Sequence, residues 1–379
     1  ADTVAARNFQ GTNECHGWMG IRFQVTPQGE PNEIVLHVRM LDTANVLQQE
    51  ALGIFGVNLI YGAFHYHEDP ERLIASLADN IGTDRIEVEV TNFSGPAFEQ
   101  VDQRSLNLAL LEKNFSNATM FGPDGTVKLP SEELHKRPVV LLRGSFRPIT
   151  LANVDMLDAG TAQFVEEANL GGEKPLVIIE MTIRNLLSHN LFGRETLLAL
   201  VDTLLALGHN VLITDYQEYY RLSSYLRRYT GLPIAILLGA NNLYYLFDEQ
   251  YYVHLHGGIL EGFGRLFREQ VKLYVYPMAN ELFAKSLSEH EGADVVPSQG
   301  MKFVTVENIQ VQRKYQGLFF YLWDSRLITS IDKYSPELAQ LHSSFVRKLI
   351  RENNPEWKKY VPAAAIPIIE EQKIFTTSG

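Results

Sequence analysis

With 379 residues, 45% of them hydrophobic and 21% charged, the chain has enough apolar material for two or three ordinary cores, which excludes wholesale disorder. A formal net charge of -12 removes the electrostatic footprint of a protein that grips a nucleic-acid backbone, so no nucleic-acid partner is expected. Cys15 is the single cysteine, so neither an intramolecular disulfide nor a multi-cysteine zinc or iron-sulfur site can form, and a reducing cytoplasm is the expected compartment.

Residues 1–137 read as an α+β domain. IRFQVT and EIVLHVRML are β-rich runs separated by Pro27, Gly29 and Pro31, and they predict paired strands. QQEALGIFGVNLIYGAF has helical spacing, weakened by Gly53, Gly56 and Gly62. Asp69, Pro70 and Glu71 then start a firmer helix over RLIASLADNI, with an acid at the cap and proline behind it. Just before it, His65 and His67 stand two apart beside Glu68 and Asp69; a surface pair next to a helix cap fits them better than a divalent-metal site. RIEVEVTNF alternates with period two and is a strand, SLNLALLEKNF a helix and FGPDGTV a turn.

Residues 138–291 repeat a cleaner rhythm. PVVLLR, PLVIIEMTI, NVLITD and LPIAILLG are short, apolar and rich in β-branched residues, and each precedes a helical stretch; VKLYVYPM supplies a fifth strand. Near-continuous apolar strands alternating with helices predict a doubly wound α/β domain, its parallel sheet covered on both faces. Residues 292–379 break the rhythm: GADVVPSQG is a loop, SPELAQLHSSFVRKLIREN a helix capped by Ser335, and VPAAAIPII an apolar tail expected to dock on its own body or on a neighbour. No run reaches the roughly 18 to 20 apolar residues that cross a bilayer, and the N-terminus lacks the basic-then-apolar order of a secretory signal, so no membrane insertion is expected.

Ligands of parallel α/β sheets bind beyond the carboxyl ends of the strands. Arg143-Gly144-Ser145-Phe146-Arg147-Pro148 sits at such an end, directly before a helical pattern. Turn amides and the positive end of that helix would face an anion, with Arg143 and Arg147 adding charge-assisted contacts. The alternative is a tight turn with solvated arginines. Asp215, at the end of NVLITD, is either a ribose or magnesium ligand or a helix cap. HGGILEGFGRLFREQ lacks the glycine spacing of a dinucleotide fingerprint, and close helix packing is the simpler use of its glycines. The tyrosines from Tyr216 to Tyr252 suit base stacking or, better in so acidic a chain, a subunit interface; a homo-oligomer is expected.

GSFRPITLAN resembles the Gly-Ser/Thr-Phe-Asp-Pro-x-His-x-Gly-His turn of the nucleotidyltransferase superfamily, which includes nicotinate-nucleotide adenylyltransferase. The resemblance implies a turn that binds ATP phosphates and two histidines that stabilise charge on the leaving pyrophosphate. Gly144, Ser145, Phe146 and Pro148 match. Arg147 replaces the acid, Thr150 and Asn153 the two histidines, and Ala152 the glycine, so both imidazoles are missing. HVRMLD, QQEALGIFGVNLIYGAF, FSGPAF, RGSFRP, EYYRLSSYLRRYTG and GGILEGFGRLF with LYVYP are similar, from about Gly20 to Pro277, to a bacterial family of cytoplasmic proteins loosely labelled nicotinate-nucleotide adenylyltransferase and sometimes TonB-dependent receptor. The second label conflicts with the absence of barrel-type strand patterning.

The expectation that follows is a nucleotide-handling enzyme that moves an adenylyl group from ATP-Mg to a phosphorylated acceptor such as nicotinate or nicotinamide mononucleotide. Arg143, Gly144, Ser145 and Asp215 would hold the nucleotide, and Arg147, Thr150 and Asn153 would act on the transferred group. The alternative is a non-catalytic homo-oligomeric scaffold with a degenerate nucleotide-binding domain.

Overall fold

The computed structural model describes residues 1–5, 8, 10, 13–183, 193–288, 295–296 and 300–376. The chain divides into two compact units, Ala1–Pro130 with Leu212–Asp215, and Ser131–Val211 with Tyr216–Gly379. Of the expected loop at 292–300, residues 292–294 and 297–299 lie outside the described residues, and Val295–Val296 is a short strand.

The first unit is built on four strands, β1 (Asp2–Val4), β2 (Cys15–Phe23), β3 (Asn32–Met40) and β4 (Ile86–Ser94), antiparallel and adjacent in chain order. Alternation on β3 sends Ile34, Leu36, Val38 and Met40 into the core beneath the helices Asn45–His65, Pro70–Ser76 and Gln103–Glu112. The bulge between His37 and Val38 lies beside a buried pair, His37 Nδ1 and Glu89 Oε2 at 2.7 Å. Asn45–His65 runs unbroken through its three glycines. Gly62 has a packing reason to be there, since a Cβ would come within 3.2 Å of Leu73 on the next helix. Asp69 caps that next helix by accepting from the Arg72 amide. The outer stripe of Asn45–His65 stays apolar: Val57, Ile60, Tyr61 and Phe64 are each at least half exposed. Strands β5 (Ala118–Phe121) and β6 (Val127–Lys128) form a hairpin around the expected turn.

The second unit carries β7 (Val139–Arg143), β8 (Leu176–Thr182), β9 (Asn210–Thr214), whose last three residues count with the first unit, β10 (Ile234–Gly239) and β11 (Val271–Tyr276). Then come the short β12 (Met278–Ala279), β13 (Val295–Val296), β14 (Phe303–Val304) and β15 (Gln310–Val311), and β16 (Ile328–Ser330). The large sheet is mostly parallel and runs β16-β11-β10-β7-β8-β9. Numbered by their order in the chain, these six strands read 6-5-4-1-2-3. An α/β architecture with a large, mostly parallel sheet thus agrees with the sequence. The region after 292 is not purely helical, because β16 extends the sheet.

Helix Leu151–Glu167 packs on β7, β10 and β11, with Gly160 pressed so close to Leu237 that a Cβ would sit 2.8 Å from it. Two expected helices differ. Asp248 accepts from the Gln250 amide and breaks the stretch after Asn241 into the helix Leu243–Phe247 and the 3-10 turn Glu249–Tyr252. His342, not Ser335, caps the helix Ser343–Arg351. The tail docks on its own unit through Val361, Ala365 and Ile369, against the helix Arg194–Leu205.

Candidate functional site

Strands β7 and β10 are neighbours, yet the chain leaves β7 toward β8 on one side and β10 toward β11 on the other. Loops that diverge from two adjacent parallel strands open a crevice at their carboxyl ends. Two recesses lie there, both within the second unit. The larger, about 300 Å³, is lined by Arg143, Thr182, Glu218 and the rings of Tyr219, Tyr244, Tyr245, Tyr251 and Tyr252. The smaller, about 180 Å³, is lined by the turn residues Phe146, Pro148, Thr150, Ala152 and Asn153, and by His342. Arg143, Gly144, Ser145, Asn241 and Asn242 line both and form their shared rim.

Arg143 is fixed from several directions. It is the register partner of Glu180 across β7 and β8, and its Nε lies 3.1 Å from Glu180 Oε2, with the arginine side chain 9% and the carboxylate 0% exposed. Nη2 donates to Thr182 Oγ1 at 2.6 Å and to the Tyr216 carbonyl, and the guanidinium stands 4.8 Å from the centre of the Tyr219 ring. Nη1 is buried and has no hydrogen-bond partner among the described residues, an unmet donor of the kind a bound acceptor satisfies. Burial pushes the hydroxyls of Tyr219, Tyr245, Tyr251 and Tyr252 above their usual range, with the Tyr244 hydrogen bond adding to the effect at Tyr245.

The turn is shaped by its own side chains. The Gly144 amide donates to the Glu180 carbonyl at 3.1 Å, and a Cβ on Gly144 would press within 2.9 Å of the Phe146 ring. Phe146 is buried with φ at 45°, folding the chain back into the helix. Asn153 Oδ1 accepts from both the amide and the hydroxyl of Thr150, at 3.0 and 2.9 Å, so the two residues that replace the histidines cap the helix Leu151–Glu167 at the wall of the smaller recess. No carboxylate lines that recess among the described residues, which suits an anion.

Of the residues singled out from the sequence, Arg143, Gly144, Ser145, Thr150 and Asn153 come together here. Arg147 and Asp215 line neither recess. Arg147 lies near Arg347, whose Nη1 donates to the Arg147 carbonyl at 2.6 Å; burial and the charge of Arg351 lower its pKa. Asp215 is half-buried, with its amide donating to the Asn117 carbonyl. The second glycine-rich segment supplies its own anion: Glu261 accepts from the Gly257 amide at 2.8 Å and pairs with Arg265. Sequence reasoning passed over Glu180, Asn241, Asn242 and His342. Glu180 had a readable signal, a lone charge within the apolar run LVIIEMT, where a buried partner is required.

No family model matches the chain, and no curated protein matches it. Among solved structures it is similar to a Plasmodium falciparum nicotinic acid mononucleotide adenylyltransferase complexed with APC, at 14% identity over 64% of this chain and 98% of that chain, with a TM-score of 0.36. Likeness at that level carries neither activity nor ligand across.

Proposed function

We propose that the second unit is a doubly wound nucleotide-handling domain, and that its reaction class is adenylyl transfer from ATP-Mg to a phosphorylated acceptor such as a pyridine mononucleotide. The observation that carries this reading is the position of two adjoining recesses at the point where the strand order reverses, with the Arg143-Gly144-Ser145 rim common to both. In this reading the triphosphate lies in the smaller recess against the turn and the positive end of Leu151–Glu167. The acceptor's ring enters the tyrosine-walled recess, and its phosphate meets the nucleotide at the rim. Magnesium would arrive on the phosphates and neutralise them there, since the recess beside the turn supplies no carboxylate among the described residues. Calorimetry of the full chain with ATP, with and without magnesium, tests the reading: no heat of binding at millimolar nucleotide would end it.

A second reading, a non-catalytic homo-oligomeric scaffold, is favoured by the exposed apolar stripe Val57, Ile60, Tyr61 and Phe64 and by the mutual bonding of Thr150 and Asn153. Mass photometry separates the two: a monomer of about 43 kDa that turns over nucleotide rejects the scaffold, and an inert larger particle supports it.

A further inference from the structure

We infer that the tyrosine-walled recess selects a planar ring bearing an uncharged carboxamide or lactam group, and discriminates against the same ring bearing a carboxylate. This rests on the reading of that recess as the acceptor subsite and goes further by naming the acceptor's chemistry.

Three features of the recess decide it. First, the rings of Tyr219, Tyr244, Tyr245, Tyr251 and Tyr252 offer flat apolar faces, and about 300 Å³ admits a single ring with its sugar. Second, the one lining cation among the described residues is already compensated, because Glu180, fully buried, stands 3.1 Å from Arg143 Nε. A ligand carboxylate would be a second negative charge against one guanidinium in a poorly solvated place. A neutral carbonyl meets the unpartnered Nη1 without that conflict. Third, Glu218 lines the same recess with its side chain 12% exposed, its outer contact a 3.4 Å pair with Arg221. A carboxylate at that place accepts from an amide N–H and repels an acid. An acceptor oxygen beside a donor nitrogen is what a primary amide or a lactam edge presents.

The test is calorimetry of the full chain with nicotinamide mononucleotide and nicotinate mononucleotide, probes that differ only in amide against acid, run alongside ATP. The amide is expected to bind at least about tenfold tighter, the worth of one charge-assisted contact. Glu218→Gln, a change at a partly exposed position, should narrow the ratio about threefold or more by removing a negative charge. Glu180→Gln should narrow it further, and if that variant does not fold, the wild-type ratio and Glu218→Gln still decide. Equal or tighter binding of the acid overturns the inference. So does binding of neither probe when ATP binds, an outcome that leaves the nucleotide reading intact. Failure of ATP alone, with the amide preference present, removes the nucleotide reading and leaves the ring subsite standing.

Discussion

Replacing Arg143 by alanine should destabilise the second unit far more than a change at a pocket wall normally does. The guanidinium is nine-tenths buried and faces a carboxylate with no solvent exposure; it also donates to Thr182 and to the Tyr216 carbonyl. Removing one partner of a buried pair costs about 3 to 5 kcal/mol, because the remaining charge loses its compensation inside the protein. For a unit of this size, 1 kcal/mol moves the midpoint by about 2 to 4 °C, so Arg143→Ala should lower it by roughly 6 to 20 °C. Scanning calorimetry on the full chain reads this as a shift of the second unit's transition. A companion variant, Arg143→Met with Glu180→Leu, replaces both charges by apolar groups of similar length and should recover at least about half of the loss. A single variant within about 2 °C of the parent, a change of ~1 kcal/mol or less, would refute the claim that the pair is buried and coupled.

Three further outcomes follow from the packing. Arg147→Ala should leave nucleotide affinity within about twofold, as expected of a side chain outside both recesses, and calorimetric titration checks it; a loss of about tenfold would return Arg147 to the binding site. Gly262→Ala would drive a Cβ into the Tyr252 ring, so it should cost about 1 to 3 kcal/mol in urea unfolding and weaken binding of any ring in the tyrosine recess. His209 is held below its ordinary pKa of about 6.5 by burial, against the opposing pull of Asp158. The unfolded chain therefore takes up the proton first. Its contribution is fully present above pH 6.5, is lost as pH falls toward the depressed folded value, and is flat below that. Thermal midpoints recorded from pH 7.5 to 4.5 should show that fall in the parent and a shallower one in His209→Gln.

The strands of the second unit were legible because burial on both faces leaves a simple signature, short β-branched apolar runs such as PVVLLR and LPIAILLG. The strand β16 was not, because three residues, Ile328–Ser330, are too few for periodicity to register. Helix ends were misread wherever a side chain competed for backbone donors: Asp248 takes the Gln250 amide and splits a tyrosine-rich stretch whose spacing looks continuous. The tyrosines themselves were visible but their use was not. The sequence left them between base stacking and a subunit interface; Tyr219, Tyr220, Tyr225, Tyr244 and Tyr252 are buried within their own unit, and several of them wall the larger recess.

The turn after β7 illustrates why matching positions do not transfer roles. Gly144 and Ser145 reach the shared rim because the backbone leaves the sheet there, and Phe146, at a positive φ, steers it back. Thr150 and Asn153 then satisfy each other at the start of the helix. A residue spent on a cap can still orient a phosphate through its remaining donor, but neither can carry the charge that an imidazolium would bring to a leaving pyrophosphate. In this chain an imidazole does reach the same recess, from His342, whose Nδ1 lies 2.7 Å from Ser344 Oγ at the head of another helix. Beside any magnesium carried on the phosphates, the described side chains of the two recesses that could stabilise charge during transfer are Arg143 at the rim and His342. His342→Ala should therefore reduce turnover about 10²-fold or more with little change in ATP affinity, the split expected of a group that acts in the transition state. Equal losses in both would assign His342 to holding the fold of the helix it caps rather than to the transition state.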